Sequence, residues 1–152
     1  MSTTDRVKKL TEALTDRQVS VVWNACRDLA RLGNTASEAL PTLQSLWNSR
    51  DATTAIWSRY AHAEISGTIS LQLPYMIEAL QNMEIYPGMA AAAIASAGQI
   101  AADAIPALLN ALHSERNDDR WSALCALARI GEPARTTVRQ IAICLSDTDE
   151  KV

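Results

Sequence analysis

The chain is 152 residues long, with 48% hydrophobic and 20% charged residues, a balance that excludes wholesale disorder or a fibrous protein and fits one packed domain. Its 14 Lys and Arg against 17 Asp and Glu leave a formal charge of -3, which lacks the basic excess that nucleic-acid binders use to neutralise phosphates. No apolar run approaches the roughly 18 residues of a membrane span, and Cys26, Cys125 and Cys144 form no CxxC pair, so a soluble, cytoplasmic protein without a disulfide framework or zinc site is expected.

The first predicted element is a helix in VKKLTEALTD, with Leu10, Ala13 and Leu14 on its buried side, acting as an N-terminal cap over residues 1–15. Four similar units follow, over about 16–51, 52–85, 86–118 and 119–147, with a polar tail at 148–152. Their first helices end at Gly33, Gly67, Gly98 and Gly131, spaced by 34, 31 and 33 residues. A glycine just past the last periodic residue suits the left-handed turn that ends a helix. Counting back ten positions from each glycine gives Trp23, Trp57, Gly88 and Trp121; counting back seven gives Cys26, Tyr60, Ala91 and Leu124; counting back four gives Leu29, Ala63, Ile94 and Leu127. That spacing is one face of an α-helix, so the three equivalent tryptophans are expected in the core.

Second helices follow, opened by Pro41, Pro74 and Pro106, with Arg139 at the corresponding place in the last copy. Leu43, Met76, Leu108 and Ile141 and then Trp47, Leu80, Leu112 and Leu145 mark their buried positions. Asp51 closes the first unit, and Asp118 or Asp119 is expected to cap the first helix of the last. Repeat two departs from its siblings at Glu64 and Ser66, which predicts looser or locally polar packing. Repeat three, with Gly88 and an alanine run, predicts close approach of helices. No segment shows a sustained period of two, so about nine helices and no strands are expected.

The period near 33, the Leu-Gly or Ile-Gly helix ends and the Pro-initiated second helices, best seen in LARLGNTASEALPTL and ALARIGEPARTTVRQI, resemble short HEAT-like repeats of the kind also found in phycobilisome lyases. The resemblance covers about Val7 to Leu145. It implies an all-α fold, a right-handed α-α superhelix in which the second helices line a concave surface. That face would carry Lys9 and Glu12, then Thr42, Ser45 and Ser49, then Tyr75, Glu78 and Asn82, then Asn110 and Ser114, then Gln140. Tyr75 combines apolar area with a hydroxyl and is the strongest single contact candidate.

No Gly-rich phosphate loop, GxSxG elbow or HExxH pair is present, and His62 and His113 share no metal-ligand spacing, so neither catalysis nor a metal or cofactor is expected. Arg59 and His62 are expected on a solvated outer face, and His113 near a helix end. The leading expectation is a non-enzymatic scaffold binding another protein or peptide, as an inhibitor or toxin-immunity protein for example, without nucleic acid or membrane as partner. The repeat type also implies two alternatives, a phycobilin-lyase-like cofactor handler and a HEAT-like DNA glycosylase. The last repeat has no evident capping helix, which predicts a homodimer through Ile141, Ile143, Cys144 and Leu145.

Overall fold

The computed structural model describes residues 2–81 and 87–147, with side chains over 2–81 and 90–143. Among the described residues the chain is all-helical and contains no strand. It divides into two compact units, Met1–Gln72 and Leu73–Val152, where the sequence reading has a single domain.

The first unit begins with α1 (Thr3–Ala13), whose start is fixed by a capping box: the Ser2 hydroxyl accepts from the Asp5 amide, and the Asp5 carboxylate accepts from the Ser2 amide. Next come α2 (Val19–Leu32), a 3-10 stretch over Gly33–Ala39, α3 (Leu40–Ser45), a 3-10 turn over Leu46–Asn48 and α4 (Ala52–Ser66). Asp51 caps α4 by accepting from the Thr54 amide at 2.8 Å. The core of this unit joins Val7 and Leu14 of the N-terminal segment to Cys26 and Leu29 of α2, Leu43 of α3 and Ala61 and Ile65 of α4. Burial pushes the Cys26 thiol up to about 12, so it behaves as a small core hydrophobe.

α5 (Ile69–Gln81) crosses the division between the units. Pro74 was expected to open this helix, but it lies inside, because Ile69 to Leu73 are α-helical where the other repeats have a 3-10 stretch. Proline there lacks the amide that would bond to the Ser70 carbonyl. Pro41 and Pro106 do sit in the first turn of their helices, as expected.

The second unit continues with α6 (Pro87–Ala97), a 3-10 stretch over Gly98–Ala104, α7 (Ile105–Ala111), α8 (Asn117–Ile130), a 3-10 stretch over Glu132–Thr137 and α9 (Val138–Asp147). Ala90, Ala91, Ala93, Ile94 and Ala95 of α6 are buried, and the small side chains let α6 and α8 pack over most of their length. The environment of Gly88 lies outside the described side chains. All four repeat-ending glycines have positive φ, from +54° to +72°, which glycine adopts at least steric cost; Gly67 takes the expected left-handed turn with ψ 21°, whereas Gly33 and Gly131 have ψ of -142° and -126°.

Ala90–Ala111 corrects the sequence reading in one respect, since by length and composition, with a mean hydropathy of 1.4 over its best window, it qualifies as a membrane span. In the fold it is two helices, α6 and α7. The chain breaks between them at Gly98, with φ +58°, and at Ala101, whose φ of -88° and ψ of 20° are not helical.

Candidate functional site

In the first unit, Lys9 and Glu12 are exposed on α1, Ser45 is exposed at the end of α3, and Thr42 and Ser49 are half-buried. Two of the hydroxyls are already engaged with backbone: Ser45 Oγ donates to the Thr42 carbonyl at 2.7 Å, and Ser49 Oγ accepts from the Asp51 amide at 3.2 Å. They set the turn that leads into α4.

In the second unit, Tyr75 is 52% exposed and Glu78 is exposed on α5, while Asn82 lies outside the described residues. Ser114, expected on the binding face, is only 6% exposed and donates to Asp119 Oδ2 at 3.0 Å. It is a structural residue of the α7–α8 turn, because a hydroxyl at this depth needs an internal partner. Asp119, one of the two aspartates expected to cap α8, lies in the first turn instead, where Arg116 is the N-cap and its side chain makes no capping hydrogen bond. The buried Asp119 carboxylate is also 3.6 Å from Arg116 Nε.

Asn110 and Gln140, thirty positions apart, are brought together. They line one groove of about 380 Å³ with Leu109, His113 and Ile143, between α7 and α9. Two carboxamides, each able to donate and accept, share this lining with apolar Leu109 and Ile143 and with the His113 imidazole. This arrangement suits the free backbone groups of an extended peptide lying over apolar side chains. Among the described residues no three His, Cys, Asp or Glu side chains gather to hold a metal ion.

The tryptophans divide in a way their shared register did not predict. Trp23 is half-buried, and its indole N–H donates to Asp51 Oδ2 and Thr54 Oγ1, both at 3.0 Å, so it ties α2 to the start of α4. Burial pushes the Asp51 carboxyl up, but hydrogen bonds from Thr54 and Trp23 outweigh it and hold the group below the usual carboxylate range. Trp57 is half-buried with its ring 5.7 Å from that of Tyr60. Trp121, expected in the core, is 69% exposed. In repeat one this position is covered by α4, the first helix of the next repeat, and no helix follows α9 among the described residues. A register reveals which face a residue lies on, not whether another helix covers that face.

Arg59 and His62, expected in solvent, are half-buried against Trp47. The guanidinium carbon of Arg59 lies 4.6 Å from the Trp47 ring centroid, and Arg59 also donates to the Trp47 carbonyl at 3.5 Å and to Gln72 Oε1 at 3.3 Å. His62 meets the same indole edge-on at 5.1 Å, and burial pushes its pKa down. The signal for this cluster was available: Trp47 replaces the leucine of its repeat siblings, and a larger ring there reaches the flank of the next helix. Repeat two is locally polar, as expected, with Ser66 Oγ donating to the His62 carbonyl at 2.7 Å and lying 2.7 Å from Thr68 Oγ1.

No family model matches the sequence. No curated protein matches it either. Among solved structures, the chain is similar to the crystal structure of an engineered protein from the Northeast Structural Genomics Consortium. The TM-score is 0.53 at 22% identity, covering 91% of this chain and 68% of that one. At this identity the likeness concerns the fold alone.

Proposed function

We propose that this chain is a non-enzymatic helical scaffold of HEAT-like repeats that binds a segment of another protein, with the α7–α9 groove as its main contact. The observation that carries the reading is the convergence of Asn110 and Gln140 on one groove beside exposed Ile143. Polar groups able to read an extended backbone, set beside apolar side chains, are the composition of an interface core and its rim. The HEAT-like arrangement draws its support from the repeated glycine turns and from the Pro-initiated helices α3 and α7.

A photo-crosslinking residue placed at Asn110 or at Gln140 tests this in the native lysate. Both positions should trap the same protein, and Ile143→Asp should abolish both products while leaving the helical circular dichroism unchanged. Traps at neither position, or unrelated products from the two, would overturn the reading.

A further inference from the structure

In two repeats the trough is covered by the first helix of the next. In repeat one, Cys26, Leu29, Ala30, Ala36, Leu40 and Leu43 form a trough, and α4 covers it with Trp57, Tyr60, Ala61 and Ile65. At the N-terminus of that covering helix, Asp51 receives the Trp23 indole N–H. In repeat three, Ala91, Ile94, Ala95, Ala101 and Leu108 are buried, and α8 packs on the elements that carry them. There Arg129 Nε donates to the Ala95 carbonyl at 3.0 Å.

Counted from the repeat glycines, the matching residues of repeat four are Leu124, Leu127, Ala128, Ala134, Val138 and Ile141. They line an open groove of about 490 Å³. Leu127 and Ala128 are identical to Leu29 and Ala30, and Ala134 to Ala36, while the other three differ only by apolar exchange. Val138 is 59% exposed. Trp121 stands in the place of Trp23, on the same helical face as Leu124 and Ala128, and is 69% exposed.

We propose that this groove docks an amphipathic helix of a partner protein, about four turns long, with an aspartate at its N-cap and a stripe of aromatic and small apolar residues. This deepens the scaffold reading, on which it rests, at a second groove of the same unit. The covering helix of repeat one specifies the occupant: the apolar stripe fills the trough and the N-cap carboxylate accepts the Trp121 N–H. Among the described residues, α4 and α8, which cover grooves in this way, have their apolar stripes buried already, so a second copy could meet this groove only through another surface.

The probe is a fluorescent synthetic peptide of residues 49–67, the segment that covers the matching groove, titrated with the intact protein and read by anisotropy. Saturable binding is expected. Trp121→Ala and Val138→Asp, both at exposed positions that should not disturb folding, are each expected to weaken it about tenfold or more. Changing the peptide's Asp51 to Ala should weaken it about fivefold. Absence of saturable binding, or binding indifferent to both protein variants, overturns the proposal. So does a wild-type dimer in sedimentation equilibrium that Val138→Asp converts to monomer, since a second copy would then own the groove. If the peptide fails while crosslinks at Asn110 and Gln140 persist, only this inference falls; if the peptide binds and those crosslinks are absent, the fault lies with the α7–α9 site.

Discussion

Repeat one and repeat four present nearly the same residues in the same register, yet one trough is sealed and the other open. Leu29 and Leu127 both lie on the floor and are both buried, so each repeat makes its own floor. The rim differs. Trp23 is half-buried and doubly hydrogen-bonded to the capping turn of α4, whereas Trp121 is largely exposed. Between these two segments, then, the burial of a rim residue follows the helix that covers it and not the residue or its own helix.

The strongest way to break that comparison is to truncate the two indoles in parallel. Trp23→Ala removes packing area and leaves the Asp51 carboxylate without one donor, so it should cost about 2–3 kcal/mol, less than a fully buried tryptophan. Trp121→Ala should cost below about 0.5 kcal/mol, as for other exposed positions. Urea denaturation followed by circular dichroism measures both. Equal costs would mean that Trp121 is covered in solution.

The next effect sharpens the comparison at the acceptor. Asp51→Ala deletes the α4 cap and the Trp23 partner together, and about 1–2 kcal/mol should be lost. Because the folded state holds this carboxyl below its usual 3.8, its contribution is complete above that value and disappears as pH falls through the folded pKa. Asp51→Asn should keep part of the cap and flatten that acid limb. A variant that retains the acid slope of the wild type would place its origin in another carboxylate.

The same contrast explains how much of the molecule could be read from its sequence. The glycine turns were legible because one residue type satisfies positive φ cheaply, and the core stripes because helical spacing repeats them. Ser114 was misplaced because its helical phase puts it on the outer face, while the turn after α7 folds it back onto Asp119. Pro74 was misplaced because a proline tolerated inside α5 carries the same letter as one that opens a helix. Of the expected binding face, Asn110 and Gln140 come to line one groove. The exposure of Trp121 depends on contacts between successive helices, which no single stripe encodes, whereas the Trp47 cluster left a trace in the replacement of a core leucine by tryptophan.

The smallest effect concerns His62, which packs on Trp47 in the sealed unit. Burial lowers its pKa below the ordinary 6.5, so as pH falls past that value the unfolded chain takes up the proton first. The stability contributed by the neutral ring is therefore complete above about 6.5 and declines as pH falls toward the folded pKa, beneath which both states are protonated and the loss is constant. The imidazole keeps some solvent contact, which screens the effect, so the decline should stay below about 1 kcal/mol. His62→Asn should flatten the stability curve across this window, as read by denaturation midpoints at pH 7.5 and pH 5. The neutral ring also lies 3.4 Å from Ser66 Oγ through Nδ1, a contact in which either atom can donate, whereas a protonated ring can only donate. If the variant keeps the wild-type slope, the Trp47 contact does not resist protonation of His62, and the sealed rim is held by Trp23 and Asp51 without help from this ring.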